Sequence, residues 1–377
     1  MDSVISIFKE RIKQAAAAGH TLRIQGGDTK QFYGELNTSH TVLDTRELTG
    51  VVSYEPSELV VTVRAGTPLA QLEQLLSTQG QCLAYEPPHF GASATVGGMV
   101  AAGLAGPARA NVGGVRDHVL GAKMINGLGE ELNFGGQVMK NVAGYDVSRA
   151  LAGSMGTLGL ITEVSLKVLP LAPAEATLMC KLSQHDALEL LHRWGGQALP
   201  LNASAWLHDT TAQPAQDMLF VRLRGAVAAV ESACPRMIAD VQAVGGSASR
   251  MDNAQAAKEW QAGREQTLPF FQAASPELCL WRLSLPQTAP VLNLPYATYI
   301  EWHGGLRWLW ASASAAAQLR VAAHQAGGHA TLFRRPQAGV HNTSVFSELP
   351  AVQQRIQREL QKQFDPHGVF NTGRLGI

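Results

Sequence analysis

Three glycine-rich runs constrain the fold of this chain more than any other feature, because residues without a Cβ let backbone or ligand approach closely. The first run, Gly26-Gly27, follows the short strand-like segment 21–24, and the second occupies residues 95–103. The third run, 153–163, places three glycines before the β-branched residues of a predicted strand. Each run alone is also typical of a tight turn or of close helix packing. Together they indicate a backbone cradle for an anionic or flat ligand.

The pattern of these runs argues against a nicotinamide-binding Rossmann domain. Such a domain carries GxGxxG between a strand and a helix, with an acidic residue about 20 positions later. None of the three runs has that pattern. Hydrophobic periodicity instead predicts a β-β-α order: a hairpin over 51–63, then a helix with Thr67 as N-cap and Pro68 at its first position.

Length and composition predict more than one domain. The chain has 377 residues, of which 46% are hydrophobic, and this is enough for two or three buried cores. Pro170 and Pro173 interrupt the pattern after the third glycine run, and mixed strands and helices follow. We therefore predict an α+β fold with domains at 1–172, 173–340 and 341–377. The last part is a helix with apolar residues at four-residue spacing, and a tail that returns to the first domain.

Charge and cysteine content exclude several classes of protein. Thirty basic side chains balance thirty acidic ones, and without a basic run we do not expect nucleic-acid binding. The four cysteines form no CxxC pair, which argues against an iron–sulfur cluster or a zinc site on this chain.

The N-terminal stretch is typical of an amphipathic helix rather than a signal peptide, and no uncharged stretch is long enough to cross a bilayer. We expect a cytoplasmic protein whose contact with the inner face of any membrane is made through partners.

Several stretches of the sequence resemble a known family in their order and spacing. They are 24–30 (IQGGDTK), 43–46 (LDTR), 63–67 (VRAGT), 92–98 (ASATVGG) and 153–159 (GSMGTLG). The family is the FAD-linked oxidases, with an FAD-binding domain of the vanillyl-alcohol-oxidase and p-cresol-methylhydroxylase type. The resemblance covers the first half of the chain and its tail. It implies a two-part FAD-binding domain and a ferredoxin-like α+β cap domain.

Three further stretches narrow the resemblance to the FAD-binding subunits of glycolate oxidase complexes within that family. They are 141–146 (NVAGYD), 302–308 (WHGGLRW) and 364–371 (FDPHGVFN).

The resemblance also implies which residues hold FAD. The first loop and the second glycine run would hold the pyrophosphate, and the third run would lie along the adenine side. The implied residues are Gly26, Gly27, Asp28, Thr29, Lys30, Pro88, Ser93, Ala94, Thr95, Gly97, Gly98, Gly153, Gly156, Thr157, Gly159, Ile161 and Asn371. Family members that attach FAD covalently use a histidine in the first loop. None lies between Gln25 and Gln31 here, so we expect non-covalent FAD.

Two residues near the predicted cradle need a separate interpretation. Asp28 stands where the family often has a small residue, and its charge would repel a pyrophosphate unless the side chain turns away or pairs with Lys30. His89 precedes the second glycine run and could neighbour the flavin. A lone histidine in a loop is more typical of a structural role, and we assign it no catalytic one.

Oxidation of a 2-hydroxy acid, which the resemblance implies, requires a cation for the carboxylate and a base for the hydroxyl proton. Arg307, Arg334 and Arg335 lie on predicted strands and are candidates for the carboxylate contact, with His303 or Tyr145 as polar neighbours. The alternative is that these arginines are solvated strand ends. The predicted catalytic set is Tyr145, His303, Arg307 and Arg335, without a metal.

Three functions are compatible with the sequence. The first is a subunit that oxidises glycolate to glyoxylate or relays its electrons, with a catalytic flavoprotein subunit, an iron–sulfur subunit and quinone as partners. The second is a flavin-binding scaffold of the same complex, favoured because the HxGDGNxH motif of catalytic 2-hydroxy-acid relatives is absent. The third is an independent FAD-dependent reductase of cell-wall precursors, which would need a nicotinamide route.

Overall fold

The computed structural model describes residues 2–36, 41–136, 146–338 and 342–376. The chain divides into two compact units. The first comprises Met1–Ala105, Gly113–Leu171 and Glu348–Ile377, and the second comprises Gly106–Val112 and Ala172–Ser347.

The secondary structure elements are numbered in chain order. The helices are α1 (Asp2–Ala18), α2 (Leu69–Thr78), α3 (Val96–Ala102), α4 (Arg109–Val112), α5 (Val115–His118), α6 (Val147–Ala150), α7 (Gln184–Gly195), α8 (Val227–Ala243), α9 (Asn253–Arg264), α10 (Ala316–Gln325) and α11 (Ala351–Phe364). The strands are β1 (Arg23–Gln25), β2 (Val42–Asp44), β3 (Val51–Glu55), β4 (Val60–Arg64), β5 (Gln81–Cys82), β6 (Val119–Ile125), β7 (Glu131–Gly135), β8 (Leu160–Lys167), β9 (Leu169–Pro170), β10 (Ala174–Lys181), β11 (Leu201–Asp209), β12 (Gln216–Gly225), β13 (Ser247–Arg250), β14 (Cys279–Ser284), β15 (Thr298–Glu301), β16 (Leu306–Ala311) and β17 (His329–Arg334).

The first unit is built on a five-stranded antiparallel sheet with the strand order β3-β4-β8-β6-β7. A separate parallel pair, β1-β2, lies beside the chain's tail, where Leu22 forms a parallel bridge with Phe370. Phe8 and Ile12 of α1 are buried with both of these residues in one core. The predicted amphipathic helix is therefore confirmed, and the tail lies next to the first glycine run.

Helix α2 differs from its prediction at the start. It begins at Leu69, and Pro68 is the residue before the helix rather than its first residue. Thr67 does not cap the helix, because its hydroxyl accepts the N–H of Gly50 at 3.0 Å. The buried face of α2, which includes Leu72, was predicted correctly because leucines spaced three and four apart lie on one side of a helix.

The second unit is built on an eight-stranded antiparallel sheet with the strand order β13-β10-β12-β11-β15-β16-β14-β17. One core packs α7 and α8 against β10–β12, and a second packs α10 against β14, β16 and β17. The elements β10-α7-β11-β12-α8-β13 follow the β-α-β-β-α-β order of a ferredoxin-like domain. The ferredoxin-like cap stays a prediction, because this sheet has eight strands rather than four.

Two segments lie in the second unit although the sequence placed them elsewhere. Residues 106–112 were predicted in the first domain, but Trp302 Nε1 donates to the carbonyl of their first residue at 2.9 Å. Residues 342–347 were predicted to return to the first domain. The N–H of Leu332 donates to the carbonyl of Val345 at 2.9 Å, which holds this segment beside β17. Neither contact has a local sequence signal, because each joins residues far apart or outside a regular strand.

Hydrophobic periodicity failed to predict helix α9, and it did not indicate which residues of helix α11 are buried. Helix α9 was not predicted, although Asp252 Oδ1 caps it by accepting the N–H of Gln255 at 2.9 Å. Helix α11 was predicted from its apolar spacing, but Val352 and Ile356 are each 59% exposed.

Candidate functional site

A pocket of the first unit forms where the end of β1, the loop after it, helix α3, the third glycine run and the tail meet; its volume is about 120 Å³. Nine of the predicted cofactor residues line it: Gly26, Asp28, Lys30, Gly97, Gly98, Gly156, Gly159, Ile161 and Asn371. Eight others do not line it: Gly27, Thr29, Pro88, Ser93, Ala94, Thr95, Gly153 and Thr157. All three glycine runs therefore contribute to one cavity.

The first loop is held against residues 93–95 through Gly27. A Cβ at this position would lie 1.5 Å from the carbonyl oxygen of Ser93, and Ser93 Oγ donates to the carbonyl of Gly27 at 2.7 Å. Within the described ranges, the backbone N–H groups of Gly27, Asp28 and Thr29 donate to no intramolecular acceptor. Successive unpaired N–H groups of this kind are suited to bind an anion.

The charged residues of the loop, Asp28 and Lys30, do not form the ion pair that was one of the two ways in which the Asp28 charge could avoid a pyrophosphate. Asp28 pairs with Arg23 (Oδ1 to Nη1, 3.6 Å) and not with Lys30. Lys30 Nζ donates to the carbonyl of His89 at 3.1 Å, and His89 Nε2 lies 3.0 Å from a carboxylate oxygen of Glu73. Arg23 therefore lies within ion-pair distance of Asp28, and Lys30, a second basic residue, lines the pocket. The contact of His89 with Glu73 agrees with a structural role.

The second glycine run begins helix α3, and the first N–H groups of that helix bind within the protein. Thr95 caps α3, since its Oγ1 accepts the N–H of Gly98 at 3.2 Å. The N–H groups of Val96 and Gly97 donate to carbonyls within residues 65–67 at 3.0 and 2.7 Å. These three donors of the first turn are thus already used inside the protein. The role of residues 93–98 in holding a pyrophosphate stays a prediction that these donors do not support.

The third glycine run is joined to the tail by Asn371. Asn371 Nδ2 donates to the carbonyl of Met155 at 2.6 Å, and its Oδ1 accepts the N–H of Ile24 at 3.0 Å. Gly156 has a φ of +74°, and a Cβ there would lie 2.7 Å from Asn371 Nδ2. One side chain of the tail therefore links β1 to the third glycine run, and all four residues line the pocket.

Five polar residues of the pocket were missed as site residues: Gln25, Gln31, Tyr33, Thr45 and Arg374. Gln25 Oε1 is buried and has no hydrogen-bond partner among the described residues. Arg374 is 6% exposed, and its guanidinium donates to the carbonyls of Gln31, Tyr33 and Glu35 at 2.5–2.6 Å. Gln25 precedes the first glycine pair, which was its only signal. Nothing in the sequence singled out Arg374 beyond its place in the tail.

His303, predicted as a catalytic neighbour, is enclosed within the second unit. It is 5% exposed and lies in a left-handed turn with φ of +56°. Its Nδ1 lies 3.0 Å from Ser204 Oγ and its Nε2 lies 2.6 Å from Asn111 Nδ2. Burial lowers the pKa of His303 to about 4. The imidazole is therefore neutral at pH 7, with both nitrogens in contact with protein groups.

The predicted arginines lie in different surroundings. Arg307 is 1% exposed and donates to three backbone carbonyls, and burial lowers its pKa to about 10. Arg334 donates to Gln266 Oε1 at 2.9 Å, whereas Arg335 is half-buried at the end of β17. The interpretation of Arg307 as a solvated strand end is wrong. Tyr145 lies outside the described residues.

Comparison with known proteins shows to which family the chain belongs. The family described as "FAD binding domain" matches residues 8–135. The glycolate oxidase subunit GlcE of Escherichia coli (strain K12) is 43% identical over 97% of this chain and 95% of that protein. The glycolate oxidase subunit GlcD of Bacillus subtilis (strain 168) is 30% identical, but over 39% of this chain and 31% of that protein. A D-lactate dehydrogenase of Archaeoglobus fulgidus is 32% identical over similar shares, 39% and 33%.

A solved structure of alkyldihydroxyacetonephosphate synthase shares the fold, with a TM-score of 0.69 and 14% identity over 97% of this chain and 73% of that chain. The pocket fits FAD on its own chemistry. The loop after β1 has backbone N–H groups that no acceptor in the described ranges uses, including that of the lining residue Asp28, and it places Lys30 at the pocket for an anionic centre. The lining residue Gln25 offers a buried, unsatisfied amide oxygen for an N–H donor. The chain belongs to the family of the glycolate oxidase subunit GlcE, within the FAD-linked oxidases, and carries an FAD-binding domain.

Proposed function

We propose that this chain is the FAD-binding subunit of a glycolate oxidase or dehydrogenase complex that oxidises glycolate to glyoxylate. The likeness to a glycolate oxidase subunit over 97% of the chain carries the proposal, because it includes the second unit as well as the FAD-binding domain. When bound, FAD would supply the two-electron acceptor for this oxidation. A catalytic flavoprotein subunit, an iron–sulfur subunit and finally quinone would take part in the electron transfer.

The residues of the first unit would hold FAD without a covalent bond. We assign the pyrophosphate to the N–H groups of Gly27, Asp28 and Thr29, with Lys30 as a nearby cation, since this loop has donors that no protein acceptor uses. Gln25 would accept a hydrogen bond from a ring N–H or amine of the cofactor, because its buried Oε1 otherwise remains unsatisfied.

The second candidate function is a scaffold or electron-relay subunit that does not turn over substrate. The contacts of both ring nitrogens of His303 with groups of the second unit favour it. A catalytic base needs a lone pair within reach of the substrate proton, and His303 has none that is not already in a protein contact. Arg335 remains the predicted residue best placed to contact a substrate carboxylate, because it is only half-buried.

We further propose that the protein acts in the cytoplasm and reaches a membrane through its partners. No helix within the described ranges is long and apolar enough to cross a membrane. We also propose that the second unit contains two ferredoxin-like halves joined along β11 and β15, since each half of the sheet has a central strand pair extended by one strand on each side.

One experiment tests FAD binding and catalysis separately. The full chain is purified, its FAD content is measured after heat release, and glycolate is added without oxygen to the chain alone and to the chain with its partner subunits. One FAD per chain and bleaching by glycolate in the chain alone would support the catalytic function. Bleaching that needs the partners would favour the relay or scaffold, and a colourless chain that FAD cannot restore would contradict both.

A substitution tests Arg335 in the assembled complex. Arg335→Ala should raise KM for glycolate at least tenfold with unchanged FAD content, because a bidentate carboxylate contact is lost. The matched control is Arg116→Ala, which removes an exposed arginine of the first unit. An unchanged KM would remove Arg335 from the substrate site.

A further inference from the structure

A second pocket lies within the second unit, between two of its hydrophobic cores, with a volume of about 150 Å³. Trp206 of the first core and Leu283 and Leu309 of the second line its sides. Leu292 and Leu294, from the segment between β14 and β15, also line it. The walls are therefore mostly apolar, and the space is large enough for a molecule of several non-hydrogen atoms.

Arg307 brings a positive charge to this apolar pocket. Its guanidinium donates to the carbonyls of Gly304 at 3.3 Å, Pro290 at 2.7 Å and Ala289 at 2.6 Å. A guanidinium has five N–H groups, so two of them remain without an acceptor among the described residues. No carboxylate in the described ranges lies within ion-pair distance of Arg307.

A buried cation without an anion is unusual, because desolvation penalises the charge and nothing offsets it. Burial lowers the pKa of Arg307 to about 10, which still leaves the side chain charged at pH 7. The three carbonyl contacts satisfy hydrogen bonds but carry no full negative charge. An anion in the pocket would supply that charge and could accept the two remaining N–H groups.

The polar residues near the pocket do not compete for that position. His208 Nδ1 lies 2.6 Å from Asp217 Oδ1, so this carboxylate is already in contact with a lining residue. Gln184 Nε2 donates to Thr298 Oγ1 at 2.8 Å. These contacts hold His208, Gln184 and Thr298 in place, and Arg307 is the cationic group that faces the cavity.

We propose that this pocket binds a short-chain monocarboxylate, with the carboxylate on Arg307 and the carbon chain against the leucines. The planar guanidinium fork matches a carboxylate, and one anionic group on a small apolar body matches a cavity with one cation and leucine walls. Larger dianions would place a second charge against leucine, at a high desolvation cost. The inference does not depend on the proposed function, because it concerns binding without turnover.

The test uses the full, FAD-loaded chain with acetate and propanoate as probes and acetamide and propanamide as neutral counterparts of the same shape. Binding is followed by calorimetry and by tryptophan fluorescence at constant ionic strength, with the flavin oxidised throughout. We expect one carboxylate per chain, bound at least tenfold more tightly than the matching amide. Equal affinities for an acid and its amide would overturn the proposal. So would the absence of binding of either acid up to roughly 50 mM, since a Kd above that concentration corresponds to a binding free energy weaker than about 2 kcal/mol.

Two variants locate the site. Ala297→Phe puts a ring at an exposed lining position without changing Arg307, and should weaken acetate binding at least tenfold. Its matched control, Ala228→Phe on the exposed side of α8, should leave binding unchanged. Arg307→Lys keeps the charge but removes the fork, and should also weaken binding. If Arg307→Lys does not fold, Ala297→Phe decides: acetate affinity equal to that of the control variant would refute the site.

Discussion

Replacing Gly156 by alanine should damage both the fold of the first unit and its pocket, and the two effects can be separated. Gly156 has a φ of +74°, a conformation that costs an L-residue about 1–2 kcal/mol. A Cβ would also lie 2.7 Å from Asn371 Nδ2, which is closer than real Cβ contacts. The amide must then move away, and its 2.6 Å hydrogen bond to the carbonyl of Met155 is lost.

The expected magnitudes follow from these two terms. Loss of a hydrogen bond that leaves a buried group unsatisfied costs about 1–3 kcal/mol. Gly156→Ala should therefore lower the free energy of unfolding by about 2–5 kcal/mol in total, from strain and hydrogen bond together. Because Asn371 and Met155 line the pocket, we expect the Kd for FAD to rise at least tenfold, which corresponds to about 1.4 kcal/mol.

Gly153→Ala is the matched control. Gly153 has a similar φ of +87°, but a Cβ there meets nothing within 4 Å, and the residue does not line the pocket. It should cost about 1–2 kcal/mol of stability through strain alone, without a change in FAD affinity. Urea unfolding of the FAD-free chain gives the stabilities, and quenching of flavin fluorescence gives the Kd. Equal losses of stability and of FAD affinity in the two variants would refute the assigned role of Asn371.

Three further outcomes are expected. Gln25→Met should leave the FAD-free chain as stable or up to about 1 kcal/mol more stable, since an unsatisfied buried oxygen disappears, yet raise the Kd for FAD about tenfold; unchanged affinity by fluorescence titration would remove Gln25 from the site. The pKa of His303 is lowered by burial from 6.5 to about 4, so its neutral form contributes stability that is complete above pH 6.5 and is lost as pH falls towards 4. At about 1.4 kcal/mol per pKa unit, His303→Gln should flatten the acid loss of stability by up to ~3 kcal/mol in urea unfolding at pH 7.5 and 4.5, whereas exposed His20→Gln should not. Arg374→Met should lower the free energy of unfolding by about 3 kcal/mol or more, because three carbonyls lose a charged donor; a loss below about 1 kcal/mol would contradict the role of Arg374 in holding the loop.

Local patterns in the sequence were enough to predict many elements of both units. Leucines at helical spacing predicted α2, and β-branched residues predicted β3 and β4, because the period of a pattern follows directly from helix or strand geometry. The three glycine runs predicted a shared cavity, since a missing Cβ marks close approach of backbone wherever the partner lies. The family resemblance predicted FAD, and comparison with known proteins confirmed it.

Tertiary structure alone decided which N–H groups of the glycine runs are already hydrogen-bonded within the protein and which polar groups line the pocket. Gly97 and Gly98 were expected to donate to a phosphate, but their N–H groups are used by a carbonyl and by Thr95 within the protein. Gln25 is a candidate site residue because no partner in the described ranges reaches its oxygen. Whether a polar group has a partner depends on packing rather than on residue type.

In the second unit, too, the sequence indicated the chemistry of a residue and the tertiary structure decided its surroundings. The sequence identified Arg307 as a cation suited to a carboxylate, and that chemistry belongs to the guanidinium group itself. Its burial against the carbonyls of the segment before β15 and its place in an apolar pocket depend on contacts between residues separated by up to 18 positions. Residue types determine what a side chain can bind, whereas the fold determines what surrounds it, because desolvation and pairing arise only after distant segments have packed together.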